Sequence, residues 1–306
     1  MNGNAEVAVV GSVNADITFQ LRSLPLPGET VLSSGRYDAP GGKGANQAAA
    51  LAALGTPVEL IASVGDDNPG QEIISHLQSR GVDCTSVSLS PELPTGSAVI
   101  LVSSGGENSI VVDAGANGAL TPELVNAYFS DHKPAIVLAQ LEVSVETISR
   151  AAELAPEIFV LNPAPMPPSS PELKRLIGKC DILVPNRSEL ASLVDCPVPQ
   201  NTEDVVNTAR LLDYSGQLVV TLGADGAVVF PRGVAGDYIV VAAPRAESVD
   251  SSGAGDAFCA ALVTGILNGK NLVDACHFAC NFASWTTTQI GAQVGDVKFD
   301  GNLSHK

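Results

Sequence analysis

Asp250-Ser251-Ser252-Gly253-Ala254-Gly255-Asp256 leads without a break into Ala257-Phe258-Cys259-Ala260-Ala261-Leu262-Val263. Glycines and small residues running straight into an apolar stretch predict a turn that opens a buried helix. A helix start presents unpaired N–H groups and the positive end of the dipole. An anion therefore fits at residues 253–256. Gly253 and Gly255 let the backbone approach it without a Cβ in the way. Asp256 is the odd member, because a carboxylate repels an anion. Two readings stay open from these residues: a helix-start charge favourable to the dipole, or a base that takes a hydroxyl proton while the glycines hold a phosphate.

Outward from this stretch the chain alternates strand and helix. Val7-Ala8-Val9-Val10-Gly11-Ser12 reads as a buried parallel strand. Asn14 and Asp16 stand just past its C-terminal end, the edge where open α/β sheets bind ligands; both can hydrogen-bond hydroxyls, and both also suit a turn. Residues 17–21 alternate with period two. Leu24-Pro25-Leu26-Pro27-Gly28 forces a turn, and 30–37 reads as a second strand. Gly41-Gly42-Lys43-Gly44-Ala45-Asn46 opens a helix ended by Gly55. It is not a P-loop, since no Ser or Thr follows Lys43, and no GxGxxG occurs anywhere.

Strand 58–63, helix 68–80 and an extended segment 82–89 follow. Residues 95–103 and 108–113 read as a hairpin, expected to join the earlier flap strands in one small sheet. Such an exposed sheet needs a cover, and a second copy of itself would serve. Alternation resumes through 135–140, 144–154, 158–161, 171–178 and 181–184, with Glu142 again at the ligand edge. Asn186 and Glu189 share a helix face at i, i+3, yet N-x-x-E is also a capping-box pattern. Segments 217–222, 226–230 and 238–242 read as strands, with a turn at 223–226. A small-residue helix, 272–289, would pack beside the anion-binding helix, and the loop 290–295 can return toward it.

The bulk properties exclude several classes. A chain of 306 residues, 45% hydrophobic, suits one large α/β domain. A net charge of -17 with only 16 Lys and Arg makes nucleic acid and anionic membrane poor partners. No apolar run reaches membrane length, and the opening Met1-Asn2-Gly3-Asn4 shows no signal-peptide pattern. Six scattered cysteines without CxxC suit a reducing cytoplasm.

In their joint order these motifs resemble the ribokinase (PfkB-type) family of carbohydrate kinases over nearly the whole chain. The fragments are residues 11–16 and 41–46, Asp113-Ala114-Gly115-Ala116-Asn117, Leu141-Glu142, residues 161–165, Pro185-Asn186-x-x-Glu189, Thr221-Leu222-Gly223, the 250–256 heptad and Gly291-Ala292-Gln293. The resemblance implies a Rossmann-like, mostly parallel central sheet flanked by helices, with a small β-sheet lid formed by 16–39 and 95–113. It implies ATP-dependent phosphorylation of a sugar primary hydroxyl, O5 of ribose. By the same resemblance Asn14, Asp16, Gly42, Lys43, Asn46 and Glu142 hold the sugar, and Asp256 is the base. Gly253, Ala254, Gly255 and Asp256 supply backbone N–H groups to the transferring phosphoryl. Asn186 and Glu189 organise Mg²⁺ and phosphate, and Thr221, Gly223, Gly226, Gly255 and Asn281 contact the nucleotide. A K⁺ site is implied at Asp250, Ser252, Thr286, Gln289, Gly291 and Gly295, and a homodimer through the lids. Ser251-Ser252 and Arg187 depart from the family's usual residues. The alternatives are a kinase of the same type for deoxyribose, a nucleoside or a sugar phosphate, or a non-catalytic sugar-binding protein on the same fold.

Overall fold

The computed structural model describes residues 5–293. The chain opens with β1 (Val7–Val10), β2 (Asn14–Leu21) and β3 (Gly35–Gly41), then α1 (Lys43–Ala53), β4 (Val58–Gly65) and α2 (Asn68–Ser79). Next come β5 (Val87–Ser90), β6 (Gly96–Ser103), β7 (Asn108–Asp113) and α3 (Pro122–Asp131). The middle runs β8 (Ile136–Ala139), α4 (Val145–Leu154), β9 (Ile158–Leu161), α5 (Pro171–Ile177), β10 (Ile182–Leu183), α6 (Arg187–Val194) and α7 (Thr202–Ala209). It closes with β11 (Gln217–Thr221), β12 (Ala227–Phe230), β13 (Ile239–Val241), α8 (Ala254–Leu267) and α9 (Leu272–Thr286).

The large sheet has the order β13-β12-β11-β10-β9-β8-β1-β4-β5. Its strands run in one direction except β12, which pairs antiparallel with both β11 and the edge strand β13. Both faces are covered. Val7 and Val9 of β1 join the core layer that includes α1, α8 and α9, while Ala8 and Val10 join the layer with α3, α4 and α5. Successive side chains of a strand point to opposite faces, so a continuous apolar run is what a sheet buried on both sides requires. Helix α8 is buried from Asp256 through Gly265; one carboxylate therefore sits in an otherwise apolar and small-residue helix.

The second sheet has the order β3-β2-β6-β7. β2 pairs antiparallel with β3 and parallel with β6, so the hairpin β6–β7 joins the early strands as its pattern predicts. The expected strand over 30–37 is corrected to Gly35–Gly41. Register explains the shift: β2 begins at Asn14, paired to both Gly41 and Gly96, so β3 must run on to Gly41. That pairing ties one end of the small sheet to the C-terminal edge of β1. The extended segment 82–89 forms a strand only from Val87, and the last helix stops at Thr286 rather than Gln289. Helices α3 and α7 have no counterpart among the sequence-based expectations; each has a short, weakly patterned run.

Candidate active site

The residues that matter gather at the C-terminal edge of β1, β8 and β9, where the starts of α1, α6 and α8 converge. Gly253 precedes α8 with φ 70°, a left-handed conformation that suits glycine. A Cβ on it would also collide with the backbone of Ala292, so the C-terminal loop does return against this turn. The turn is open at Gly255, whereas Asp256 behind it is only 6% exposed. The N–H of Ala254 points back to the Ser251 carbonyl at 3.3 Å; the other first-turn N–H groups have no intrahelical acceptor.

The Asp256 carboxylate accepts from Asn46 Nδ2 at 3.1 Å and from Gln47 Nε2 at 3.0 Å. Burial pushes its pKa up; Lys43 and the two amides oppose the rise but do not cancel it. Burial alone would lower the Lys43 ammonium, but Asp256, Glu142 and Glu189 outweigh it and raise the pKa. Lys43 is thus a half-buried cation amid three carboxylates, not a solvated surface residue.

Glu142 follows β8 and accepts from the Ser12 hydroxyl and, at 2.9 Å, from the Lys43 backbone N–H. Asn14 is buried and accepts from Asn117 Nδ2 at 2.7 Å. Asp16 lies in β2, and burial together with neighbouring Glu142 pushes its pKa up to about 7. Its Oδ1 is buried without a hydrogen-bond partner among the described residues. A buried carboxylate oxygen left open is a poor structural element and a good acceptor for a ligand hydroxyl. Gly42 caps α1 against the backbone of Ser12–Asn14, and the neighbouring Gly41 lies against the Asp16 carboxylate.

On the far side of the α8 turn lies a cavity of about 460 Å³. Thr221, Gly223 and Gly226 line one wall, Ala254 and Gly255 another, and Cys280 and Ser284 of α9 a third. Asn281 stands on α9 between those two but does not line the cavity. A separate hollow holds Asp16, between the small sheet and α2; Asp256 lines neither and lies buried behind the turn, next to Gly255.

Asn186 and Glu189 form a complete capping box. Asn186 Oδ1 accepts from the Glu189 N–H at 2.8 Å, and Glu189 Oε2 accepts from the Asn186 N–H at 2.8 Å. The capping reading of N-x-x-E is therefore realised. Burial nonetheless raises the pKa of Glu189, against the Asn186 N–H and Lys43, and Asp256 adds to the rise. Arg187, next to Asn186, is paired with Asp225 of the 223–225 turn at 2.8 Å.

Around Asp250, Oδ1 accepts from the Ser252 N–H and Oδ2 from the Gly291 N–H, both at 2.9 Å. Burial would raise this carboxyl, but those N–H groups overrule it and lower the pKa. Asp250, Ser252 and Gly291 are thus brought together, while the Thr286 hydroxyl donates to Ala283 within α9. Each Asp250 oxygen keeps a further acceptor position beyond these N–H groups. Gly295 lies outside the described residues. No group of three or more His, Cys, Asp or Glu suited to a metal occurs among the described residues. Nor is any described helix long and apolar enough to cross a membrane.

The model for the pfkB family carbohydrate kinases matches residues 4–298. The chain belongs to that family. This kinase is 33% identical over 300 residues to a ribokinase of Schizosaccharomyces pombe, covering 94% of this chain and 93% of that one. It is 35% identical over 296 residues to a deoxyribokinase of Salmonella typhi, covering 94% of each. Its fold superimposes on an Arabidopsis thaliana ribokinase complexed with ribose and ATP, with a TM-score of 0.81, 31% identity and 95% of both chains covered. The chain is accordingly a sugar kinase, a phosphotransferase.

Several residues of the kinase's site have no role that the sequence alone suggests. Ser12 donates to Glu142, Gln47 to Asp256, Asn117 to Asn14 and Gln140 to Gln47, and Gln293 donates to Asn46 Oδ1 at 3.2 Å. Asn117 and Gln293 belong to quoted motif fragments. Gln47 and Gln140 give no signal, because an amide inside an alanine-rich helix or at a strand end is unremarkable by composition.

Proposed function

We propose that this enzyme transfers the γ-phosphoryl group of ATP to the primary hydroxyl O5 of ribose. The observation that carries the reading is the buried Asp256 carboxylate in the first turn of α8, held by Asn46 and Gln47 of α1 and next to Gly255, which lines the open cavity. Asn14, Asp16, Gly42, Asn46 and Glu142 hold the sugar hydroxyls. Asp256 accepts the O5 proton as O5 bonds to the γ-phosphorus and the bond to the bridging oxygen of ADP breaks. The N–H groups of the 253–256 turn and the Lys43 ammonium stabilise the charge on the phosphoryl oxygens. Raised basicity suits the role, because a base with a pKa nearer neutrality is a better proton acceptor at working pH.

ATP lies in the cavity lined by Thr221, Gly223 and Gly226. Asn186 and Glu189 would hold Mg²⁺ with the ATP phosphates, and the ion would neutralise part of their charge; few protein ligands are what this ion needs beside a nucleotide. K⁺ would sit at Asp250 and nearby carbonyls, offsetting negative potential under the turn. The small sheet, 16–39 with 95–113, serves as a lid over the sugar. Its exposed Tyr37, Ile110 and Val112, which strand register puts on one face, supply an apolar face for a second copy. Six unpaired cysteines agree with a cytoplasmic setting.

The experiment is ADP release measured over a panel of pentoses, hexoses and nucleosides. Highest kcat/KM on ribose is expected, and ADP release with none of the sugars would overturn the reading. A second acceptor, 2-deoxyribose, is favoured by the similarity to a deoxyribokinase, and the same panel ranks it against ribose.

A further inference from the structure

We propose that Gln47 and Gln140 form a buried amide relay that positions the Asp256 carboxylate, with Gln140 acting only through Gln47. The inference rests on Asp256 being the base. Both side chains are fully buried. Gln47 Nε2 donates to Asp256 Oδ1 at 3.0 Å, and Gln140 Nε2 donates to Gln47 Oε1 at 2.5 Å. The same Gln47 amide lies 3.4 Å from Asn162 Oδ1.

The direction of these bonds follows from chemistry. An ionised carboxylate only accepts, so Gln47 must offer it the NH₂ group. A lone buried glutamine could rotate by half a turn and set its carbonyl against the carboxylate. Gln140 removes that freedom, because its NH₂ satisfies the Gln47 carbonyl in one orientation only. The arrangement has a cost: Gln140 Oε1 is buried with no partner among the described residues. Room for that oxygen exists because residue 11 is glycine, and a Cβ there would overlap it. A pair kept only for packing would gain by being apolar. The bond from Gln47 favours the charged form of Asp256 against the burial that opposes it. The other groups facing this carboxylate are Asn46 and Lys43 of α1, Cys259 of α8, Glu142 after β8 and Glu189 of α6. The Gln140 amide is directed at Gln47 rather than at any of these, so the relay can be tested separately.

The experiment is the pH profile of kcat at saturating substrates for Gln47→Met, Gln140→Met and the double variant, with Asp256→Asn alongside. Methionine nearly conserves volume, which keeps packing change small. Gln47→Met should move the acid limb upward by roughly one pH unit, the usual worth of a hydrogen bond to a charged group, and Gln140→Met should move it the same way by no more than that. The double variant should move it no further than Gln47→Met does, since coupled residues are non-additive. A wild-type acid limb in Gln47→Met, or additive shifts in the double variant, overturns the relay. If kcat collapses in Asp256→Asn while the Gln47→Met profile is unchanged, the relay alone falls; if Asp256→Asn stays active, both assignments fall. A measurement independent of variant folding is side-chain amide exchange in the wild-type enzyme. Strong protection of the Gln47 and Gln140 NH₂ protons is expected, and exchange at the rate of free glutamine also overturns the proposal.

Discussion

Replacing Asp16 by asparagine should make the sugar-free enzyme more stable at alkaline pH while weakening its hold on sugar. In the folded protein this carboxyl is pushed up to about 7 from an ordinary 3.8. A folded-state pKa above the unfolded value means the native state holds the proton more tightly. Stability is then lost as pH rises from about 4, where the unfolded carboxyl ionises, to about 7, where the folded one does; beyond that the loss is complete. Between pH 5.5 and 8.5 the native protein crosses the last 1.5 units of that window, which is about 2 kcal/mol at 1.36 kcal/mol per unit. The asparagine side chain does not titrate and keeps both the size and an acceptor oxygen. The gap between variant and wild type in urea unfolding should therefore widen by about 2 kcal/mol over this pH range. Sugar affinity should fall in the same variant, since the amide replaces one of the two carboxylate acceptor oxygens by an NH₂ donor and removes the charge that strengthens a hydroxyl's hydrogen bond. Parallel unfolding free energies for the two proteins from pH 5.5 to 8.5 would refute the reasoning, because they would mean that Asp16 ionises in its site without penalty.

Asp256→Asn should leave sugar and nucleotide affinity within a few-fold and lower kcat by roughly 10²–10⁴, the usual worth of a positioned base; a loss below threefold removes Asp256 from that role. Glu189→Gln keeps an acceptor for the Asn186 N–H and so preserves the cap, but should weaken the response to Mg²⁺, checked by titrating the metal at fixed ATP. Potassium chloride should activate more than sodium or tetramethylammonium chloride at one ionic strength, by about tenfold for 1.4 kcal/mol of transition-state stabilisation; equal rates in all three would take the cation out of the mechanism. Sedimentation should show a dimer at micromolar concentration, and Ile110→Glu, on the exposed apolar face of the small sheet, should shift it toward monomer.

Much of this protein was legible from order along the chain. The run Val7-Ala8-Val9-Val10 is apolar at every position, and only a strand buried on both faces explains that. The heptad before α8 declared a helix start that welcomes anions, because backbone polarity and glycine spacing are local properties. The small sheet was foreseen from alternating strands with no helix between them, although its second strand lay five residues later than expected. Tertiary structure decided what sequence spacing could not. Strand β3 runs from Gly35 because Asn14 must pair with Gly41, a constraint set by a partner 27 positions away. The N-x-x-E pattern was ambiguous until Asn186 and Glu189 were seen to exchange both cap hydrogen bonds. Arg187, without a reason in the sequence, found one in Asp225 across 38 positions. Above all, Asp256 acquires its raised basicity only through burial in the folded chain, and Gln47 its task only where α1 and α8 bring the two together. Local backbone chemistry is written in neighbouring residues. The field around a carboxylate is made by groups that are far apart in the chain, and only the folded arrangement assembles it.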